Sequence, residues 1–130
     1  MADYREISQT YAQGAVNAAI LINAGAAVAL LSQAADLVKA GLASAIWLPM
    51  ISWASGTALA AAAWILGFLS SRFVDKHERE KSNAHLRASD RFMHWGLAAV
   101  CSSLLLFEAG CTILAWQFPA SDLSLAAPEP

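Results

Sequence analysis

Apolar residues fill three long stretches of this chain, and charges are confined to the breaks between them. No charged side chain lies between Gly14 and Gln33 or between Ala40 and Ser71, and only Glu108 lies between Phe92 and Ser121. A helix of about 20 apolar residues crosses the ~30 Å hydrocarbon layer of a bilayer. The pattern therefore predicts spans at about 13–36, 48–71 and 93–117, a polar segment at 72–92 and a tail at 118–130.

The first helix is predicted from Asp3 to about Lys39, because Asp3 and Glu6 suit a first turn and no proline interrupts the run to Lys39. Small residues recur on two of its sides. Gly14, Ala18, Gly25, Ala29 and Ser32 form one set, and Ala12, Ala19, Asn23, Ala26, Ala27 and Ala34 lie roughly opposite. Small residues let membrane helices approach closely, so this helix is expected to be sandwiched between neighbours. With two other helices in the chain, one neighbour is expected to be a second copy. Gly41 is the expected helix terminator. Pro49 suits a first turn, which places the start of helix 2 near Leu48 with a short connection before it. Gly56 with Ala60, and Ala63 with Gly67, are further small pairs for packing.

The polar segment carries six bases (Arg72, Lys76, Arg79, Lys81, Arg87 and Arg91) and four acids (Asp75, Glu78, Glu80 and Asp90). Asp75 with Arg79 and Lys76 with Glu80 stand at i,i+4, so helix 2 is expected to continue beyond the membrane as far as a turn at Ser82-Asn83. Helix 3 then runs from about Ala84 to Trp116. The expected fold is all-α: one three-helix transmembrane domain over 1–130, with a cytoplasmic helical hairpin as a stalk between helices 2 and 3.

Composition agrees with that reading. Of 130 residues 58% are hydrophobic and 14% charged, against about a quarter charged in soluble domains. A net charge of −2 gives no reason to expect a nucleic-acid partner. Cys101 and Cys111 stand about 15 Å apart on one predicted helix, too far to bridge. The first segment lacks the basic start of a signal peptide and is expected to be retained.

Lys and Arg set the predicted orientation. Arg5 and the six hairpin bases lie on one side and Lys39 alone on the other, which puts the N-terminus and hairpin in the cytoplasm and the C-terminal tail outside an inner (plasma) membrane. Trp47, Trp53 and Trp116 then fall near the outer boundary, and Phe73, Phe92 and Trp95 near the inner one.

Helix 3 carries the candidate chemistry. His94, Leu97, Cys101, Leu104, Glu108, Cys111, Thr112 and Ala115 share one side of it. A carboxyl at membrane depth is costly and usually meets a bundle interior or a water-filled path. Counting heights from the inner boundary predicts two polar layers, Glu108 with Thr57 or Ser55 and Asn23 with Ser102 or Ser103. His77, His85 and His94 do not converge as metal ligands would, and no nucleophile triad or nucleotide loop is visible. No enzyme activity, metal or cofactor is expected. Arg79 to His85 resembles the Arg-x5-His motif of HEPN-type ribonucleases over seven residues, without the four-helix domain that would position it.

The expected function is a homo-oligomeric pore or ion channel-like assembly of a bacterial inner membrane, a form that suits a toxin, lysis or defence effector. In size and span number the chain resembles holins, although the common three-span kind places its N-terminus outside. The alternative is a non-catalytic accessory subunit that docks on a larger membrane complex through the hairpin. A proton-coupled transporter would also require assembly, because three helices are too few to enclose a path.

Overall fold

A computed structural model describes residues 4–117, with side chains from Glu6 onward. The expected cap at Asp3 and the tail at 118–130 lie outside the described residues. Three helices succeed one another: α1 (Tyr4–Lys39), α2 (Ser44–Glu80) and α3 (Asn83–Trp116). They contain 36, 37 and 34 residues, or roughly 50 Å each at 1.5 Å rise per residue. All three are long and apolar enough to cross a membrane.

Hydrogen bonding explains where each helix stops. At the end of α1, Gly41 takes φ 79°, its N–H donates to Val38 O at 3.0 Å and that of Leu42 to Leu37 O at 2.9 Å. These two bonds satisfy carbonyls that the helix would otherwise leave open, in the pattern of a Schellman terminator. α2 begins at Ser44, about one turn earlier than the proline suggests. Pro49 therefore lies in the second turn of α2, buried, where its missing N–H leaves Ala45 O without the usual helical donor. At the far end of α2, Lys81 adopts φ 52° and donates to His77 O at 2.7 Å. Ser82 is extended, at φ −94° and ψ 119°, and α3 starts with the next residue.

The two-residue turn at Lys81 and Ser82 makes α2 and α3 an antiparallel pair in contact along their length, while α1 rests chiefly on α2 and less on α3. The core is thin and built from small side chains: Val16 and Ala19 of α1, Ala60 and Ala63 of α2, and Val100 of α3. Large apolar side chains point outward instead, among them Leu21 at 71%, Ile65 at 63%, Leu97 at 64% and Leu105 at 70% exposed. So wide an apolar surface is unsuited to water and matches contact with lipid or partner helices.

Candidate functional site

One buried polar node joins all three helices. Asn23 is fully buried, and its Nδ2 donates to Ala19 O at 2.9 Å, to Ser103 Oγ at 3.1 Å and to Ser103 O at 3.3 Å. The side chain thus ties α1 to α3, and of the two serines expected beside it Ser103 is the one it meets. Asn23 Oδ1 is buried without an N–H or O–H partner among the described residues. A Cβ built on Gly56 would collide with this amide, so the Cα–H that glycine carries there points toward Oδ1 and offers a weak Cα–H···O contact. Gly56 is the helix 2 member of the node.

The remaining polar links pin α2 to α3. Ser52 Oγ donates to Leu106 O at 2.7 Å and Trp53 Nε1 to Phe107 O at 3.2 Å. Nearer the turn, Ser70 Oγ lies 2.8 Å from Ser89 Oγ and 3.1 Å from Ser89 O. Hydrogen bonds of this kind join helices where apolar contact alone gives no preference over lipid. Trp53 is only 3% exposed, so it belongs to the hairpin interior and not to a boundary belt. Gly110 makes this possible, since a side chain there would occupy the space of the indole ring. Trp47 at 70% and Trp116 at 85% exposed remain at that end of the molecule.

These pairs fix the register, each step back along α2 matching a step forward along α3. Glu108 therefore stands level with Ile51, and the layer expected between Glu108 and Thr57 or Ser55 does not form. Thr57 Oγ1 donates to Trp53 O of its own helix at 2.9 Å, and Ser55 is exposed. Glu108 is exposed as well and has no hydrogen bond or ion pair with any described residue. The buried face of α3 is Ser89, Val100, Ser103 and Gly110. His94, Leu97, Cys101, Leu104, Glu108 and Thr112 lie on the opposite, exposed face. The titratable stripe points out of the protomer. His94 Nδ1–H donates to Asp90 O at 2.6 Å, one turn back.

The two small-residue sides of α1 are also distinguished. Ala19 and Asn23 are buried against the bundle, whereas Gly14, Ala18, Gly25 and Ala29 are exposed. Nothing lies within 4 Å of a Cβ placed on Gly14, Gly25 or Gly67. Of the expected packing positions, Gly56 and Ala60 are therefore used within the protomer.

At the hairpin, His77 Nδ1–H donates to Ser82 O at 2.8 Å and His85 Nε2–H to Glu80 Oε2 at 2.8 Å. Phe73 stacks on Phe92 with centroids 5.4 Å apart and meets the His85 ring at 6.1 Å. Neither expected i,i+4 pair closes: Glu80 turns to His85 instead of Lys76, and Asp75 forms no salt bridge with Arg79. The bond from His85, and secondarily its charge, hold the Glu80 carboxyl below its ordinary value. Glu80 therefore contributes to the turn above the ordinary carboxylate range, and the contribution fades as pH falls through its lowered pKa. In an NMR titration, His85→Ala should raise the Glu80 pKa toward that of a free glutamate; an unmoved value would break the assignment.

Comparison with protein-family models, with characterised proteins and with solved structures finds no match for this chain.

Proposed function

We propose that the chain forms a homo-oligomeric, channel-like pore in an inner (plasma) membrane, with the N-terminus and hairpin cytoplasmic. The observation that supports this most is Glu108, exposed on the outward face of α3 without a partner among the described residues. In a lone protomer that carboxyl would face acyl chains, at a cost of several kcal/mol. Packing copies around a common axis places it beside its equivalents or along a wet path, as in the acidic rings of cation channels. The exposed glycine and alanine face of α1 provides a close-packing surface for the neighbouring copy. An effector that breaches membranes, of toxin, lysis or defence type, is the role we assign to such an assembly.

Particle size in mild detergent and in lipid nanodiscs tests the assembly. The wild-type protein should run as a discrete oligomer, and Gly25→Leu should shift it toward monomer by holding the α1 backbones apart. A monomer in both media would overturn the proposal. Unchanged size in Gly25→Leu would remove this face of α1 from the contact.

A second reading is favoured by the hairpin. Its six bases, Arg72, Lys76, Arg79, Lys81, Arg87 and Arg91, form no salt bridge with a described carboxylate, which leaves them available to a larger membrane complex. A stoichiometric partner that co-purifies and is lost on reversing Arg87 and Arg91 would establish that role in place of the pore.

A further inference from the structure

Two depressions meet at Phe68 where the charge-free part of α2 ends. The larger, about 350 Å³, is a cleft between α1 and α2 with an apolar floor of Val16, Ala63, Trp64 and Phe68 and a polar rim that includes Gln13 and Ser71. The smaller, about 190 Å³, is lined by Phe68, Leu69, Arg72, Phe73 and Lys76. The two bases are one turn apart, and each is laid on an aromatic ring. The Arg72 guanidinium is 5.9 Å from the Phe68 centroid and Lys76 Nζ is 5.8 Å from that of Phe73.

We propose that this continuous surface holds one anionic phospholipid from the leaflet on the hairpin side. Its phosphate lies between Arg72 and Lys76, and one acyl chain lies in the α1–α2 cleft. Three observations converge on that ligand. The small depression presents two cations and no carboxylate, and Glu80, the carboxyl one turn beyond Lys76, is bonded to His85. Resting on rings restricts both side chains before the ligand arrives, which lowers the ordering cost of binding. The apolar floor extends from the bases toward the uncharged middle of α2. Ala63 precedes Arg72 by nine residues, about 13 Å along the helix, so a chain attached to a phosphate at Arg72 has an apolar path along the protein. A free phosphate would make no use of that floor. The proposal rests on the helices spanning a membrane and is independent of whether they form a pore.

Native mass spectrometry of the full chain in detergent tests the site, using phosphatidylglycerol and phosphatidylcholine with identical acyl chains. The wild-type protein should prefer phosphatidylglycerol. Arg72→Gln with Lys76→Gln should lower that preference roughly tenfold, while Arg87→Gln with Arg91→Gln, the same charge removed from α3, should change it less than about twofold. Arg72 and Lys76 are exposed, so their removal leaves the helix packing in place. A second measurement needs no charge variant: phosphatidylglycerol brominated along its chain should quench tryptophan fluorescence, and the quenched fraction should fall in Trp64→Phe. Equal losses in the α2 and α3 pairs would reduce the site to diffuse attraction and overturn it. So would an unchanged preference in the α2 pair, quenching indifferent to Trp64, or competition by glycerol 3-phosphate or inorganic phosphate as effective as that by the intact lipid. A protein that does not enter vesicles at all would instead overturn the membrane reading beneath it.

Discussion

Gly56→Ala is expected to release α1 from the bundle while α2 and α3 stay paired. The added methyl would overlap the Asn23 amide. That amide has little room to retreat, because its nitrogen is held by Ala19 O and by both oxygens of Ser103. Overpacking of a closed site costs about 1–3 kcal/mol, and displacing the amide also sacrifices the bond between α1 and α3. The contact of α1 with α3 is the slightest in the bundle, so a loss of roughly 2 kcal/mol should favour detachment. The hairpin has its own links at Ser52, Trp53 and Ser70, which the substitution does not touch. Distance measurements between labels on α1 and α3, and between labels on α2 and α3, separate the two outcomes. A double-mutant cycle sharpens the test. Asn23→Ala removes the group that the methyl strikes, so combining it with Gly56→Ala should cost clearly less than the sum of the two alone. Strict additivity, or an unmoved α1, would mean that Gly56 and Asn23 do not share a node.

Much of the fold is legible in the sequence because it stems from charge placement and turn chemistry. The three apolar stretches, the continuation of helix 2 through the charged segment to Glu80 and the termination of α1 at Gly41 all rest on local rules. The start of α2 is misplaced when proline is confined to a first turn, whereas Pro49 is accommodated in the second. The polar layers show a different limit. Heights counted from an assumed membrane boundary put Thr57 level with Glu108. The hydrogen-bonded pairs Ser52 with Leu106, Trp53 with Phe107 and Ser70 with Ser89 put Ile51 there instead. The Trp53 ring reaches about one turn past that register to lie where a side chain on Gly110 would stand, and a large ring beside a residue without a side chain is the available signal that this tryptophan is buried. Asn23 with Ser103 is within reach because α1 and α3 run in the same direction from one end of the bundle. Which face of α3 turns inward is not legible from Glu108 itself. The small residues Ser103 and Gly110 mark the packed face instead.

Glu108→Gln should preserve assembly and lower cation flux through liposomes by at least about tenfold. The amide keeps the size and hydrogen-bonding capacity of the carboxyl and removes only its charge, so a difference at matched oligomer content reports on electrostatics and not on packing. A cation passing about 10 Å from a single carboxylate gains roughly 1.7 kcal/mol at an effective dielectric constant near 20. A barrier change of about 1.4 kcal/mol is worth tenfold in rate, and a ring of copies multiplies the charges lost. Selectivity should move with flux, the variant losing preference for cations over anions. Glu108→Leu separates the other meaning of this residue. If protonated Glu108 side chains join copies by hydrogen bonds, leucine should disperse the oligomer; if Glu108 lines a wet path, the oligomer should persist and conduct poorly. Flux in the wild-type protein that neither substitution alters would take Glu108 off the conduction path, and the outward stripe on α3 would then be a contact surface alone.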